Sequence, residues 1–380
     1  MKILQTPVRF YPAIGGVETV VLGLSRALAQ RGHQVHVITS DEPSAQPTEL
    51  DGVRITRLRT AGKLANTNIT PALPLRLLRE DFDIVHTHLP TPWSADWSAW
   101  MGRLRGKAVV TSFYNEIVGQ SGMARAFAAA YNATAFRVLL RASHRLITLT
   151  PDHLASPISP LKTALNKTRL LKAGIDTAQL YPRPELRQAA SISFLAVLDE
   201  FHRYKGLDVL LRAMARLRAR GVQAHLRVGG QGSLRAEYER MAAELGIAED
   251  VQFLGRLPDD EMNAFFNQSS LFVLPSISGA QEGYGLVALE AMACGVPVIT
   301  TTEAGLAPIA RQASAALVAP AGDEAALADA MARVLGDPAL AAQLSANGHA
   351  LIQNKFSWAA IAQDYETVYA EALQNARGSP

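Results

Sequence analysis

The sequence predicts an α/β protein built from two doubly wound domains, each with a mainly parallel sheet. Short apolar runs that are typical of buried strands alternate with segments of helix length on both sides of a Pro-containing stretch near residue 185. This alternation indicates βαβ units, whose crossovers place helices on both faces of a sheet. The length of 380 residues fits two or three domains, because ~150 residues per domain is usual.

The composition indicates a globular chain. Apolar residues make up 48% and charged residues 19%, so large cores are expected and disorder is not. The net charge is +3 and no block of Lys and Arg occurs, so we expect no nucleic-acid partner. The small excess fits an anionic ligand, an anionic membrane surface or ordinary surface charge. Cys294 is the single cysteine, which excludes an internal disulfide and a cysteine metal site, and we expect it in the core.

Neither a signal peptide nor a membrane span is evident in the sequence. The strand-like segment Lys2–Gln5 starts at once, without a charged region followed by an apolar one. No uncharged apolar run approaches the ~20 residues that a span needs. We therefore expect a cytoplasmic protein, and leave open a peripheral contact with the inner face of the membrane.

The first half carries several candidate binding residues at strand ends. Ligands of doubly wound sheets collect at the carboxyl ends of the strands, where this sequence has Gly15, Gly16, His86, His88 and the segment Phe113–Glu116. Each histidine is equally consistent with a structural role and with a ligand contact. The expected strands are 1–6, 33–39, 53–58, 83–88, 108–112, 146–150 and 168–172, with a helix over 19–31.

The second half repeats the same alternation. A stretch with Pro182 and Pro184 is expected to link the two domains. The expected strands are 193–198, 224–228, 251–254, 271–274 and 317–319, and the expected helices are 206–220, 234–245, 259–267, 323–335, 338–353 and 359–374.

The stretch 271–298 has the strongest local signal. The apolar run Leu271–Leu274 ends at Pro275, which predicts a strand buried on both faces. Gly283 and Gly285 follow, and glycines allow a sharp turn and a close approach of a ligand to the backbone.

A helix expected to begin near Leu286 would complete an anion site. Its first N–H groups and its positive dipole end suit a phosphate. Glu282 stands at the entrance of the loop and Glu290 one turn into the helix, so the two carboxylates could reach hydroxyls at two ends of one ligand. An ordinary strand-to-helix turn with surface glutamates is the alternative for this stretch alone.

The segment Glu282–Glu290, followed by Ala291–Val298, resembles the E-x7-E signature of retaining GT-B glycosyltransferases, most closely those of family 4. One such signature is a weak signal, but further motifs match in the right order over nearly the whole chain. They are Gly15–Glu18, Gly174–Asp176, Tyr204–Gly206, Gly230–Gly232 and Phe253–Gly255.

The resemblance implies a GT-B fold, in which two Rossmann-like domains face each other across a cleft. It implies an acceptor-binding domain at 1–185, completed by a crossover helix at 359–380, and a donor-binding domain at 186–358. The implied reaction moves a sugar from a UDP- or GDP-type donor to a hydroxyl of a glycan or lipid-linked acceptor, with retention of configuration. Such enzymes act in the synthesis of cell-surface polysaccharides and glycolipids. No cofactor or metal is implied, and Asp81-Phe-Asp83 fits solvated surface better than a metal site.

The resemblance also assigns roles to residues. Glu290 is expected to hold the ribose hydroxyls, Glu282 to face the transferred sugar, and the amides from Gly285 to Val287 to hold the distal phosphate. Lys205 and Arg203 are expected to neutralise the leaving diphosphate, because fixed positive groups stabilise the charge that develops there. The other donor-side candidates are Gly283, Tyr284, Leu286, Gly230, Gly232, Arg256, Leu257, Gly15 and Gly16.

Two departures from the family pattern stand out. Relatives have an arginine soon after the first strand of the second domain, whereas residues 196–198 here are Ala-Val-Leu, so His202 or Arg203 would supply the charge. Relatives also carry a histidine where this chain has Phe113–Glu116. We expect Tyr114 to take the catalytic position, with Asn115, Glu116, His86 and His88 on the acceptor side. Tyrosine, with a pKa near ~10, is a poor base, but the leaving phosphate can accept the proton.

Alternatives remain for the function and for one segment. The second departure keeps open a catalytically impaired nucleotide-sugar-binding protein on the same fold. A dinucleotide-dependent dehydrogenase is disfavoured, because no Gly-x-Gly-x-x-Gly follows the first strand. The segment Met123–Arg145 mixes apolar residues with arginines; it fits helices packed on the sheet better than a membrane-surface helix.

Overall fold

The computed structural model describes residues 1–13, 15–64, 67–89, 91–114, 122–149, 160–282 and 284–378. These residues form two compact units. The first unit consists of Met1–Gly174 with Trp358–Pro380, and the second of Ile175–Ser357. Each unit has its own sheet, covered by helices on both faces.

The sheet of the first unit has eight strands in the order β10-β9-β8-β7-β1-β2-β4-β3, where every neighbouring pair is parallel except β3 and β4. Strand order reverses between β1 and β7, so their carboxyl ends form the switch point at which ligands of such sheets bind. The strands are β1 (Lys2–Thr6), β2 (Gln34–Ser40), β3 (Glu49–Leu50), β4 (Val53–Leu58), β7 (Ile84–Leu89), β8 (Ala108–Phe113), β9 (Arg145–Thr148) and β10 (Thr168–Leu170), with β5 (Gly62–Leu64) and β6 (Thr67–Ile69) in a separate hairpin.

Alternating residues of the first sheet enter two cores. Ile3 faces the core that contains the first and last helices of this unit, whereas Leu4 faces the opposite core. Trp358, at the start of the last helix, packs so closely on Gly23 and Gly174 that a Cβ at either glycine would overlap its ring. The helices are α1 (Gly16–Gln30), α2 (Leu73–Arg79), α3 (Ser94–Leu104), α4 (Gly122–Ala133), α5 (Ala135–Ala142) and, at the end of the chain, α14 (Trp358–Arg377).

The sheet of the second unit is fully parallel, in the order β13-β12-β11-β14-β15-β16. This is the 3-2-1-4-5-6 order of a doubly wound fold, with its switch point between β11 and β14. The strands are β11 (Ser191–Leu195), β12 (His225–Gly229), β13 (Val251–Gly255), β14 (Leu271–Leu274), β15 (Val298–Thr301) and β16 (Ala316–Ala319). The helices are α6 (Leu207–Ala219), α7 (Arg235–Glu244), α8 (Met262–Asn267), α9 (Gly279–Glu282), α10 (Leu286–Ala293), α11 (Ala307–Gln312), α12 (Glu324–Gly336) and α13 (Pro338–Lys355).

The predicted fold class is confirmed, and several boundaries differ from the prediction. Strand β11 begins at Ser191 because its pairing with β12 starts there, and residues 196–198 leave the sheet. The change of unit falls at residues 174 and 175, earlier than the stretch near 185, because Ile175 bridges to Ser357 inside the second unit. Cys294 is fully buried, as expected. Within the described residues, no helix combines the length and apolar character that a bilayer span requires.

Candidate active site

The loops at the switch point of the second sheet bring Glu282 and Lys205 together. Lys205 Nζ donates to Glu282 Oε1 at 2.7 Å, and the exposed fractions of the two side chains are 16% and 1%. The second carboxylate oxygen, Oε2, accepts from the buried Ser276 hydroxyl. Both oxygens of Glu282 are therefore engaged, and the carboxylate has one fixed orientation.

A short segment between β11 and α6 positions Lys205. This residue ends the 3₁₀ helix Glu200–Lys205, which turns at Gly206 with a φ of 74°. A Cβ at Gly206 would overlap the carbonyl oxygen of Pro275, and the Ile277 N–H donates to the Tyr204 carbonyl at 2.8 Å. The segment that carries Lys205 thus lies directly along the end of β14, and only glycine fits where it turns.

Further residues that sequence reasoning missed support Glu282. The Thr301 hydroxyl donates to the carbonyl of Ser276, and Glu303 accepts from the Gly279 N–H at 2.9 Å, at the start of α9. Ser276 directly follows the proline that ends β14, which is the one local signal for it. Glu303 lies 24 positions from Gly279, and its contact arises from the alignment of neighbouring strands.

The predicted start of α10 at Leu286 is confirmed, and its amino end is shaped by Gly285. Gly285 has a φ of 77°, and a Cβ there would lie 2.8 Å from methyl groups of Leu274 and Leu306. The first backbone bond at this end runs from the Ala288 N–H to the Gly285 carbonyl, so the N–H groups of Leu286 and Val287 precede it. A Cβ built at Gly285 would be 3.8 Å from Glu282 Oε1. The helix amino end and the Lys205–Glu282 pair are therefore neighbours.

Glu290 lies one turn into α10 and carries a strongly perturbed carboxyl group. Burial raises its pKa to about 7, and the negative charge of Asp259 contributes in the same direction. Among the residues that the structure describes, no hydrogen-bond or ion-pair partner of this carboxylate is found. A desolvated carboxylate of this kind is ready to accept hydrogen bonds from hydroxyl groups of a ligand.

The predicted glycine turn of the second unit has a packing role. Gly230 has a φ of 117°, and a Cβ there would overlap the carbonyl oxygen of Ala196. A Cβ at Gly232 would overlap the carbonyl oxygen of Leu198, and the Leu198 N–H donates to the Gln231 carbonyl at 3.0 Å. These glycines let the loops after β11 and β12 lie against each other at the switch point.

The remaining donor-side candidates differ in their surroundings. Arg256 is exposed, and Leu257 packs against the apolar core beside Phe265 and Gly229. The ring of Tyr284 packs on Phe356 with centroids 5.6 Å apart. Gly283 lies outside the described residues.

The side chains of His202 and Arg203, the two basic residues before Lys205, contact carboxylates. The Arg203 guanidinium binds Glu200 and Glu237, with nitrogen–oxygen distances from 2.6 to 2.9 Å. Both carboxylates raise the pKa of Arg203 further above its ordinary value. His202 Nδ1 lies 2.7 Å from Asp199 Oδ1. Sequence reasoning put Arg203 beside the diphosphate, whereas the structure shows it in a surface ion-pair group.

In the first unit, Gly15 and Gly16 lie where β1 leads into α1. Gly15 precedes α1, and the Glu18 carboxylate folds back so closely that a Cβ at Gly15 would overlap it. Glu18 also accepts from Arg9 Nε at 3.1 Å. A Cβ at Gly16 would meet no described atom within 4 Å, so this backbone position is open to a ligand.

His86 and His88 are fully buried and bound to internal partners. His86 contacts Tyr369 and Ser112, each at 2.8 Å, and His88 contacts Tyr114 at 3.0 Å and Gln5 at 2.8 Å. Burial lowers the pKa of His88 to about 3 and that of His86 well below its ordinary value. Burial also raises the pKa of Tyr114 well above its ordinary value, with Tyr365 contributing. The predicted acceptor-side residues Asn115 and Glu116 lie outside the described residues.

Asp81 and Asp83, the two carboxylates of the Asp-x-Asp string, both contact Lys2. Lys2 Nζ contacts Asp81 at 2.5 Å, and the Lys2 amide donates to Asp83 at 2.8 Å. In the described part of the chain, no group of three His, Cys, Asp or Glu side chains could hold a metal ion.

Comparisons with known proteins agree with this architecture. The family model described as Glycosyltransferase Family 4 matches residues 14–179, and the model described as Glycosyl transferases group 1 matches residues 185–350. Phosphatidyl-myo-inositol mannosyltransferase of Mycobacterium leprae is 27% identical over 368 residues, which cover 93% of this chain and 92% of that protein. N-acetyl-alpha-D-glucosaminyl L-malate synthase of Bacillus anthracis is 27% identical over 388 residues and 98% of both chains.

Solved structures resemble both units. Sucrose-phosphate synthase from Thermosynechococcus elongatus has a TM-score of 0.69 and 25% identity over 100% of both chains. Anabaena HepE, solved in complex with UDP, has a TM-score of 0.71 and 17% identity over 97% of this chain and 100% of that one. The two family models between them take in both switch-point loops, and the matched relatives are enzymes of one class. This chain belongs to the GT-B glycosyltransferases of family 4.

Proposed function

We propose that this glycosyltransferase moves a sugar from a UDP- or GDP-type donor to a hydroxyl group of a glycan or lipid-linked acceptor, with retention of configuration. The observation that carries the proposal is the buried Lys205–Glu282 pair beside the open amino end of α10. A cation beside N–H groups that have no partner among the described residues favours a diphosphate, and a fixed carboxylate favours sugar hydroxyls.

Each group has one task in the proposed reaction. The N–H groups of Leu286 and Val287 hold the distal phosphate, and Glu290 accepts from the ribose hydroxyls. Lys205 neutralises charge as the bond between the anomeric carbon and the phosphate oxygen breaks. A bond from the acceptor oxygen to that carbon forms on the same face. The acceptor proton passes to the departing phosphate oxygen, so no protein base is needed.

Relatives support the donor type and leave the acceptor class broad. HepE, which has a similar fold, was solved with UDP and with UDP-glucose. The names of the relatives give a phosphatidyl-inositol, an inositol phosphate and malate as the molecules glycosylated. Acceptor recognition therefore varies among similar chains, and we assign it to the first unit, where Gly16 is open and Tyr114 follows β8. A peripheral contact with the inner membrane face would serve a lipid-linked acceptor.

Calorimetry with UDP and GDP tests the donor assignment. One of them is expected to bind wild-type protein, and Glu290→Ala should weaken that binding by at least about tenfold, since two ribose hydroxyls lose a charged acceptor. The control is Glu249→Ala, an exposed acidic residue next to β13, which should leave the affinity unchanged. Equal affinities of wild-type and Glu290→Ala protein would refute the ribose assignment. Release of UDP or GDP from UDP-glucose or GDP-mannose then separates an active enzyme from a protein that only binds.

A further inference from the structure

A chain of buried polar side chains runs through the first unit from Tyr114 to the last helix. Gln5 on β1, His86 and His88 on β7, and Ser112 on β8 are each at most 1% exposed. Tyr369 on α14 completes the chain and is also fully buried. The two imidazole rings lie side by side with centroids 4.4 Å apart. Polar groups buried in this way are costly unless each has a partner, and here each does.

The hydrogen bonds that link these buried side chains run in one direction from donor to acceptor, and the side-chain amide of Gln5 sets that direction. Gln5 Oε1 only accepts, so His88 Nε2, at 2.8 Å, carries the proton and donates to it. A neutral imidazole has one N–H, so His88 Nδ1 accepts, and the Tyr114 hydroxyl at 3.0 Å donates to it. The Gln5 amide donates to the Tyr369 oxygen at 3.4 Å.

The same logic orders the second half of the chain. With its oxygen accepting from Gln5, Tyr369 donates its own proton to His86 Nδ1 at 2.8 Å. His86 Nε2 then donates to the Ser112 hydroxyl at 2.8 Å. Both histidines are neutral with the proton on Nε2, and every link follows from the orientation of Gln5.

Tyr114 is the outer end of this chain. It directly follows β8, its ring stacks on His88 with an interplanar angle of 21°, and the Ser112 hydroxyl lies within hydrogen-bonding reach of its own hydroxyl. Because its O–H is committed to His88, the phenolic oxygen can only accept hydrogen bonds, and beside the Ser112 hydroxyl it keeps capacity for one further donor.

We propose that Gln5, His86, His88 and Tyr369 are positioning residues that hold the Tyr114 hydroxyl with its proton inward, so that its oxygen accepts a hydrogen bond from the attacking hydroxyl of the sugar acceptor. This inference rests on the proposed function only for its last step, the nature of the partner. Tyr114 thereby orients the acceptor without removing its proton.

Imidazole nitrogen NMR on histidine-labelled full-length protein tests the direction of the chain without any substrate. His86→Gln and His88→Gln assign the two buried rings by loss of their signals. Both rings are expected as the Nε2–H form, unchanged from pH 5.5 to 8, and Tyr114→Phe should move only the His88 Nδ1 signal. An Nδ1–H form of His88, or no response to Tyr114→Phe, would overturn the proposal.

A matched pair of variants tests the positioning role. Asparagine at position 88 keeps an acceptor near the Nδ1 position for Tyr114, whereas glutamine keeps a donor near the Nε2 position for Gln5 and leaves Tyr114 unbound. The rate of UDP or GDP release from UDP-glucose or GDP-mannose should fall about 3- to 10-fold in His88→Gln and in Tyr114→Phe, as expected for one lost hydrogen bond. It should fall less in His88→Asn, and the affinity for UDP or GDP should not change.

The outcomes separate the two proposals. A double variant, His88→Gln with Tyr114→Phe, should be no slower than either single one, because both remove the same bond. Equal losses in His88→Asn and His88→Gln, or additive losses in the double variant, would show a purely structural role and overturn the inference. Failure of wild-type protein to bind UDP or GDP would instead refute the proposed function, and the NMR result would still decide the direction of the chain.

Discussion

Replacing Lys205 by alanine should destabilise the second unit by about 3–5 kcal/mol, because it leaves a buried carboxylate without its cation. Glu282 is 1% exposed, and the substitution removes its 2.7 Å contact with Nζ while the contact with the Ser276 hydroxyl remains. The control in the same unit is Arg218→Ala, which breaks a pair with Asp250 in which the arginine is 53% exposed. That change should cost less than about 1 kcal/mol, since exposed pairs are screened by solvent.

Urea unfolding followed by two spectroscopic signals separates a loss of stability in the second structural unit from one in the first. Far-ultraviolet circular dichroism at 222 nm reports both units, whereas tryptophan fluorescence reports the first one. The Lys205→Ala variant should therefore lose stability in the dichroism signal while the fluorescence transition keeps its midpoint. All four tryptophans lie in the first unit, at Trp93, Trp97, Trp100 and Trp358.

A double variant separates the contribution of Lys205 to stability from its contribution to catalysis. Lys205→Met with Glu282→Gln removes both charges and should recover stability to within about 1 kcal/mol of wild type, because no buried charge remains unpaired. Turnover should stay lost, since the leaving diphosphate has no cation. If Lys205→Ala costs no more than Arg218→Ala, the buried-pair reasoning is wrong. If the double variant regains turnover along with stability, Lys205 is only structural.

Four further predictions concern the same site. The pKa of Glu290 is about 7 in the folded protein and about 4.5 in the unfolded chain. The protonated carboxyl group therefore stabilises the folded state at low pH, and this contribution is lost as the pH rises from about 4.5 to about 7. Glu290→Gln should reduce the pH dependence of the free energy of urea unfolding by up to about 3 kcal/mol. Binding of UDP or GDP at pH 7 should release about half a proton from Glu290, measured by calorimetry in two buffers, and none in Glu290→Gln. Gly285→Ala should cost at least about 2 kcal/mol in the same unfolding assay, because of its positive φ and the two leucine methyl groups. Ser276→Ala should cost about 1.5–3 kcal/mol by removing a donor to a buried carboxylate, and a cost near zero would mean that Glu282 Oε2 is solvated.

The parts of the site that could be predicted from sequence are those set by local patterns. The start of α10 follows from an apolar strand, a proline and glycines within a few residues, and the fold class follows from the repeated alternation of strands and helices. The two histidines of β7 lie two positions apart, so they point to one face of the sheet, as period-two alternation requires. Their buried partners could not be foreseen, because Tyr369 lies 283 positions from His86.

The ion-pair partners of charged side chains were harder to predict from the sequence than the helices and strands, for a physical reason. The sequence shows Arg203 and Lys205 as equivalent bases near the expected diphosphate, yet their partners depend on which carboxylates the tertiary fold brings near. Arg203 meets Glu237 on α7, 34 positions away, and Lys205 meets Glu282, 77 positions away. A charged side chain takes the nearest opposite charge, so motif matching fixes its position along the chain and not its ion pair.

This distribution of charge bears on how a diphosphate would be stabilised in the proposed reaction. Lys205 is the cation nearest Glu282 and is already neutralised by it, while Arg203 is committed to two carboxylates. A bound diphosphate must therefore share Lys205 with Glu282, and the backbone must supply the remaining stabilisation. The N–H groups at the start of α10 have no competing partner among the described residues and cost no reorganisation, so they would supply a large share of that stabilisation. Introducing Val197→Arg, in the segment after β11 where the family resemblance leads us to expect a basic residue, should tighten UDP or GDP binding and steepen its dependence on salt. An unchanged affinity would show that the amides and Lys205 already suffice.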